Sequence, residues 1–151
     1  MTAEFGHHYI AGKWLSDAPN GFSEVENPSD GSIIGTAPNG SAGLAENAVM
    51  AAREAFESTD WASNPRQRAA ALLEFADILE RRADEIAALM ARENGKVLAQ
   101  ARHEVAAGYG EARYYAGVAR NVFGRTFESG AGKLSLMTRE PSGVVSVIVP
   151  W

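Results

Sequence analysis

Cysteine is absent from all 151 residues of this sequence. Without a thiol, these residues can form no disulfide bond and no thiolate metal site, and they supply no cysteine nucleophile. No apolar run approaches the roughly 20 residues that a helix needs to span a bilayer. Residues 1–8 also lack the apolar core of a signal peptide. These absences predict a soluble, cytoplasmic protein that has no membrane partner.

The charge balance is acidic, with 14 Lys and Arg residues against 19 Asp and Glu residues and a formal net charge of −5. Because nucleic acids and acidic membranes attract basic surfaces, this balance argues against both as partners. Hydrophobic residues make up 46% of the chain, which is typical of a globular protein. The length suffices for one domain with a sizeable core.

The beginning of the chain has the short periodicity and the turn residues of β structure. Residues 9–15 predict two short strands around Ala11-Gly12-Lys13, and residues 22–26 predict another strand that stops at Asn27-Pro28. A further strand is expected over residues 32–37, after a turn.

Three helices are predicted after this β region. The first has Ser41 as its N-cap, and the second has Asn64 as its N-cap with Pro65 at the first helical position. The second runs as one helix until Asn94-Gly95 stops it, and the third covers residues 97–123. The apolar stripe of the second helix is Ala69, Leu72, Ala76, Leu79, Ala83, Ile86 and Met90. The apolar face of the third is Leu98, Ala101, Val105, Ala112, Tyr115 and Ala119.

A period of two returns near the end of the chain. Residues 126–129 and 133–139 predict two strands joined through Gly130-Ala131-Gly132. Residues 144–149 are almost wholly apolar and β-branched, which is typical of a strand buried on both faces of a parallel sheet.

Two glycine-rich stretches resemble phosphate-binding motifs but have the wrong spacing. Gly130-Ala131-Gly132-Lys133 is followed by Leu134, where a phosphate-binding loop needs serine or threonine. Gly108-Tyr109-Gly110 continues to Arg113, where the dinucleotide fingerprint needs glycine, and it lies inside a predicted helix. No catalytic set of side chains emerges from the sequence.

An ordered set of short motifs extends over the whole chain. In order, they are Tyr-Ile-Ala-Gly-Lys-Trp at 9–14, Glu-Asn-Pro-Ser-Asp-Gly at 26–31, Ile-Ile-Gly at 33–35, Trp61 with Arg-Gln-Arg at 66–68, Leu73 with Leu-Glu-Arg at 79–81, Glu-Asn-Gly-Lys at 93–96, Arg-Tyr-Tyr-Ala-Gly at 113–117, Arg-Glu-Pro-Ser-Gly-Val-Val at 139–145 and Ile-Val-Pro-Trp at 148–151. Each motif alone is weak, but in this order and spacing the chain resembles the N-terminal portion of an NAD(P)-dependent aldehyde dehydrogenase.

The resemblance implies an α/β fold that combines part of a Rossmann-like cofactor domain with strands of an oligomerisation sheet. Residues 1–122 would form the N-terminal part of the cofactor-binding domain. Residues 123–141 would contribute strands to the oligomerisation sheet, and residues 142–151 would be the truncated first strand of the dinucleotide-binding fold. Such proteins are expected to assemble as homodimers or homotetramers.

The resemblance also implies oxidation of a small-molecule aldehyde to a carboxylic acid, with NAD or NADP as the cofactor. In this family a cysteine thiolate forms a thiohemiacetal, hydride passes to the nicotinamide, and a glutamate assists hydrolysis of the thioester. An asparagine helps to stabilise the oxyanion. None of these three residues matches a position of this sequence, so no catalytic residue is assigned. The family asparagine is expected immediately after Trp151.

Two sets of residues are candidates for binding by resemblance. Ile148, Val149, Pro150 and Trp151 resemble the residues whose backbone flanks the adenosine half of NAD(P). Val25, Glu26 and Glu93 match positions that hold a structural monovalent cation in some members. The family carboxylate is commonly aspartate, so the longer Glu93 is a departure from the pattern.

Two interpretations stay open at this point. In the first, the chain is the early part of an aldehyde dehydrogenase whose catalytic residues come later. In the second, it is a stand-alone, non-catalytic fragment that acts in assembly or interaction. The coding sequence after Trp151 distinguishes them. The aldehyde, and the choice between NAD and NADP, are not readable from these residues.

Overall fold

A computed structural model describes the backbone of residues 4–149 and the side chains of residues 6–149. In chain order the elements are β1 Glu4–Phe5, β2 His8–Ile10, β3 Lys13–Leu15, β4 Phe22–Glu26, β5 Ile33–Pro38, α1 Ala42–Ser58, α2 Pro65–Arg81, α3 Ala83–Asn94, α4 Leu98–Ala119, β6 Arg125–Gly130 and β7 Lys133–Met137. The strands form three small sheets, one with the order β1-β5-β4 and two with the pairs β2-β3 and β6-β7. The α/β character predicted from the sequence is therefore confirmed.

The strands at the beginning of the chain form as predicted. The β2-β3 hairpin turns through Ala11 and Gly12, whose φ angles of 51° and 76° suit a two-residue turn with positive φ at both positions. β4 runs antiparallel to β5, and β1 adds to the other edge of β5 in parallel. β1 was not predicted from the sequence.

The predicted helix caps are also present. The side chain of Ser41 accepts a hydrogen bond from the Leu44 N–H at 3.2 Å, and that of Asn64 accepts one from the Gln67 N–H at 3.1 Å. These bonds satisfy N–H groups that have no partner inside the helix. Gly95 ends α3 with a φ of 73°, a left-handed conformation that glycine adopts without strain.

The prediction of one helix from Asn64 to Asn94 is wrong, because the chain bends at Arg82. The φ and ψ of this residue, −102° and 12°, leave the helical region between α2 and α3. Its guanidinium donates to both carboxylate oxygens of Glu85, at 2.9 and 2.6 Å. Asp84 and Glu85 lie in the first turn of α3, where negative charge favours the start of a helix. The apolar spacing continues through the bend, so periodicity alone does not reveal it.

Helices α2 and α3 both pack against α4, and the core lies between them. Its buried members are small: Ala69, Ala76, Ala87, Ala101, Val105, Ala112 and Ala116. Larger side chains, including Leu79, Ile86 and Met90, surround the centre of this core and are only partly buried. Tyr115, predicted on the buried face of α4, is instead 55% exposed. α4 also ends at Ala119, earlier than predicted.

The C-terminal region follows the prediction only in part. The β6-β7 hairpin forms around Gly130-Ala131-Gly132, but β7 ends at Met137 rather than at residue 139. The strand predicted over residues 144–149 does not form. A strand needs a neighbour for its backbone N–H and C=O groups, and no described segment pairs with these residues. Their side chains are accordingly exposed, with Ile148 at 94%.

Candidate functional site

A small cavity of about 210 Å³ lies where β4 and β5 meet α3. Strand β5 provides most of its wall, β4 contributes Val25, and α3 contributes Leu89 and Glu93. The residues that line it are Gly6, Val25, Ile34, Gly35, Thr36, Ala37, Leu89 and Glu93. The structure therefore brings together two of the three predicted cation-binding residues, which are far apart in the sequence.

A β-bulge interrupts the sheet at this cavity. Val25 pairs with Gly35 and Glu26 pairs with Ile33, so Ile34 is an extra residue on β5. A bulge leaves the extra residue unpaired and disrupts the ladder locally, so backbone oxygens here are not all committed to regular pairing. Glu26, the third predicted cation-binding residue, follows Val25 on β4, but it is exposed and is not part of the lining.

Thr36 carries a buried hydroxyl that has no hydrogen-bond partner among the described residues. Its backbone carbonyl accepts a hydrogen bond of 2.7 Å from the Gly6 N–H, but this bond leaves Oγ1 unsatisfied. An orphaned buried polar group costs about 1–3 kcal/mol. Thr36 was not predicted, because a threonine in a strand gives no sign that its hydroxyl will be buried without a partner.

The position of Glu93 depends on how α3 ends. Two residues later, Gly95 lies so close to Pro28 that a Cβ on it would be 2.9 Å from the Pro28 Cγ. The turn that contains Pro28 is closed by bonds from the Asn27 N–H to the Ser32 carbonyl at 2.8 Å and from the Gly31 N–H to the Asn27 carbonyl at 2.9 Å. The end of α3 is therefore held against this turn, and Glu93 against β4 and β5.

Two charged contacts lie near this junction. The pKa of Asp30 is lowered mainly by hydrogen bonds from the Ser32 hydroxyl and N–H, at 2.6 and 2.9 Å, and to a lesser extent by the charge of Arg92 on α3. Lys96 forms an ion pair with Glu104 of α4, and only 13% of the lysine side chain is exposed. Among the described residues no ion pair or side-chain hydrogen bond engages the Glu93 carboxylate.

Comparison with known proteins decides the family of this chain. Residues 14–151 match the sequence profile of the aldehyde dehydrogenase family. The chain belongs to this family. The resemblance stated from the ordered motifs is thus confirmed.

Curated relatives of this aldehyde dehydrogenase chain agree with that assignment. Alpha-ketoglutaric semialdehyde dehydrogenase of Bacillus subtilis (strain 168) is 41% identical over 148 residues, which is 95% of this chain and 30% of the relative. Geranial dehydrogenase of Castellaniella defragrans is 34% identical and is matched by 100% of this chain over 32% of its own length. The chain therefore spans about 30% of the length of these relatives.

Solved structures give the same result for the fold. An NAD-dependent aldehyde dehydrogenase from Sinorhizobium meliloti matches with a TM-score of 0.86 and 32% identity, over 92% of this chain and 28% of that one. An indole-3-acetaldehyde dehydrogenase matches with a TM-score of 0.85 and 27% identity, over 95% of this chain and 33% of that one. The α/β fold of this chain is therefore that of a segment of an aldehyde dehydrogenase.

The predicted cofactor-flanking residues are not assembled into a site here. Pro150 and Trp151 lie outside the described residues, and Ile148 and Val149 belong to the unpaired, exposed segment. A dinucleotide site in this kind of fold lies at the carboxyl ends of neighbouring parallel strands, beside a helix N-terminus. Residues 144–149 have no such neighbours among the described residues, so the residues present do not by themselves fit NAD(P).

The Arg-Tyr-Tyr-Ala-Gly motif has a structural role in this aldehyde dehydrogenase chain. Arg113 donates from Nη2 to Asp77 at 2.8 Å and to Glu80 at 2.5 Å, and so connects α4 to α2. These two hydrogen bonds, first that to Glu80 and then that to Asp77, raise the pKa of Arg113. Arg113 of this motif thus links α4 to α2 through two ion pairs.

Two features are absent from the described residues, 4–149. No three His, Asp or Glu side chains cluster in a way that would hold a metal ion. None of the helices combines the length and the apolar character needed to cross a membrane.

Proposed function

We propose that this chain is part of an NAD(P)-dependent aldehyde dehydrogenase that oxidises an aldehyde to a carboxylic acid. The observation that carries the proposal is the family match over residues 14–151. The names of the relatives support an aldehyde substrate, and the Sinorhizobium meliloti structure is described as NAD-dependent. A relative from Schizosaccharomyces pombe is described as NADP-dependent, so the choice of cofactor stays open.

When bound, NAD(P) would supply the hydride acceptor for oxidation of the aldehyde carbon. The thiohemiacetal and thioester steps need a cysteine, and the present residues contain none. We infer that the cysteine, the glutamate and the asparagine lie beyond residue 151. The present residues would then supply scaffold for the cofactor domain through residues 1–122 and the first dinucleotide-fold strand through residues 142–151.

We assign oligomer contacts to residues 123–141. Every residue of β6 is exposed, and Phe127, Leu134 and Leu136 present large apolar side chains to solvent. An isolated two-stranded hairpin is marginally stable in water, and exposed strand edges favour pairing with another chain. These properties support a homodimer or homotetramer joined in part through β6 and β7.

The test of the activity compares residues 1–151 with the full-length product of the gene that contains them. The full-length protein should form NADH or NADPH from an aldehyde, and the shorter chain should not, because it contains no thiol. A stop codon directly after Trp151 would instead favour the non-catalytic fragment. Turnover by residues 1–151 above a heat-inactivated control would contradict the assignment of catalysis to later residues.

We also propose that backbone oxygens of Val25 and Glu26 and the carboxylate of Glu93 hold a monovalent cation. Alkali cations prefer oxygen ligands. The cavity combines an irregular strand pair with the Glu93 carboxylate, which forms no ion pair with a Lys or Arg side chain among the described residues. Thr36 belongs to the same lining, and its buried hydroxyl has no partner among the described residues, which supports a polar ligand at this junction. The Na⁺ or K⁺ ion would neutralise Glu93 and stabilise the junction between the sheet and α3.

Thermal unfolding of the full-length protein tests this site. Sodium or potassium chloride should raise the Tm relative to choline chloride at equal ionic strength, because a ligand that binds only the folded state stabilises it. Glu93→Gln should abolish the difference. Glu46→Gln, which removes a carboxylate from the exposed face of α1, is the matched control and should retain it.

A further inference from the structure

The Thr36 hydroxyl is a buried polar group for which the described residues offer no partner. We propose that Thr36 Oγ1 is an additional oxygen ligand of the monovalent cation, beyond the two backbone positions and the carboxylate named above. This inference rests on the proposed cation site.

Three observations support this assignment. Thr36 lines the same cavity as Val25 and Glu93. Its Oγ1 atom is buried and lacks a hydrogen-bond partner among the described residues, although buried hydroxyls in proteins are regularly satisfied. The cavity also lies at the bulge, where the ladder that would otherwise occupy backbone oxygens is disrupted.

The chemistry of the hydroxyl suits a small cation. A threonine hydroxyl has two acceptor lone pairs and one donor hydrogen, so one lone pair can face the ion while the hydrogen faces an acceptor. Hard cations take neutral oxygen ligands together with carboxylates. A cavity of about 210 Å³ leaves room for an ion with a few of its waters, each of which occupies about 30 Å³ in the liquid.

The competing explanation is that Thr36 is an unsatisfied or water-bound hydroxyl with no cation nearby. The two explanations predict opposite results for Thr36→Val, which removes the hydroxyl and keeps the shape. If the hydroxyl is merely orphaned, its removal should be neutral or stabilising in every salt. If it binds the cation, the variant should lose stability only where the cation is present.

The experiment measures Tm for the full-length protein as a function of NaCl and KCl concentration, with choline chloride holding ionic strength constant. Thr36→Val should raise the half-saturating cation concentration roughly tenfold, as expected for the loss of one contact to a charged group. Thr36→Ser keeps the oxygen and should stay close to the wild type. Valine suits a strand position, so Thr36→Val is expected to fold.

The outcomes separate the two proposals. If the wild type responds to cation, Glu93→Gln does not and Thr36→Val responds like the wild type, the assignment of Thr36 is wrong and the cation site stands. An equal rise in Tm for Thr36→Val in all salts would identify an orphaned hydroxyl. If the wild type shows no cation dependence, the cation site and its Thr36 ligand are both overturned, while the aldehyde dehydrogenase activity is tested separately by turnover.

Discussion

The helical region and the C-terminal region of this chain differ in how far their apolar side chains are buried. Between α2, α3 and α4, small residues such as Ala76, Ala87 and Ala101 are fully buried. In residues 124–149, large apolar side chains such as Leu134 and Ile148 face solvent. The facing sides of α2, α3 and α4 therefore pack within the described residues, whereas no described segment covers the hairpin and the residues after it. A chain that spans about 30% of the length of its relatives can contain both a packed region and an uncovered one.

The largest expected effect is the instability of residues 1–151 on their own. Each large apolar side chain left exposed forfeits about 1.5–3 kcal/mol, and residues 144–149 include five of them. Their sum approaches the net stability of a whole domain, about 5–15 kcal/mol. Sedimentation and thermal melting should show association and no sharp transition for the short chain, and cooperative melting for the full-length protein. A soluble monomer of residues 1–151 with a sharp transition would contradict this expectation.

Ile148→Asp should have opposite effects in residues 1–151 alone and in the full-length protein. In the short chain it should raise the soluble yield, since Ile148 is 94% exposed there. In the full-length protein it should abolish cooperative folding, because a charge would enter a strand that the proposed architecture buries. If Ile148→Asp changed soluble yield and cooperative folding in the same direction in both proteins, the distinction between the two regions would be wrong.

Gly124→Ala should have the next largest effect. Overpacking should lower the free energy of unfolding by about 1–3 kcal/mol. A Cβ at this position would lie 2.3 Å from the backbone oxygen of Met137, so the base of the β6-β7 hairpin must open. Urea unfolding of the full-length protein measures the loss. Gly110→Ala is the matched control, because a Cβ there meets nothing within 4 Å. It should stabilise α4 by up to about 1 kcal/mol.

Gly95→Ala tests the junction that positions Glu93. Its φ of 73° costs an alanine about 1–2 kcal/mol, and the Pro28 ring allows no room for the added methyl group. The free energy of unfolding should fall by about that amount, and the Tm gain from cation should shrink. A normal cation response in Gly95→Ala would show that Glu93 is held by other contacts.

Arg113→Gln should have a smaller effect, below about 1 kcal/mol, because its ion pairs are largely exposed and water screens them. The loss should diminish further in high salt. Urea unfolding at low and high ionic strength measures both. A salt-independent loss would indicate that packing of the Arg113 stem, rather than its charge, connects α4 to α2.

The smallest effect concerns Asp30, which is exposed to solvent. Hydrogen bonds from Ser32 lower the pKa of its carboxyl group. Because the folded pKa lies below the ordinary value of about 3.9, the stabilisation is present above that value and disappears as the pH falls through the lowered pKa. The Tm difference between the wild type and Asp30→Asn should therefore shrink as the pH drops below about 3.9. A difference that is constant over this range would exclude the linkage.

Local signals in the sequence were sufficient for much of the fold. Ser41, Asn64 and Gly95 act within one or two turns of chain, so their roles as caps and stop follow from residue type and spacing alone. The hairpin turn at Ala11-Gly12 is local in the same sense. The break at Arg82 was missed because the apolar spacing continues through it and no glycine or proline marks it.

The residues of the candidate site were likewise predicted only in part. Val25 and Glu93 were predicted by resemblance, and the fold brings them to one cavity. Thr36 was missed because the burial of a strand hydroxyl depends on the tertiary packing around the strand, a long-range relation. Residues 144–149 were predicted as a strand from their composition, yet a strand needs a paired neighbour, and no described segment pairs with them.

The small side chains between the three helices also limit how this region can change during evolution. Ala76, Ala87 and Ala101 have no exposed surface, so any larger residue there must push neighbouring helices apart rather than extend into solvent. In a deep mutational scan of the full-length protein, these positions should tolerate only glycine, alanine and serine. Positions on the outer faces of the same helices, such as Glu74, should accept most residues. Adaptation of this region is therefore expected to proceed through its surface and its loops, with the helix spacing held fixed.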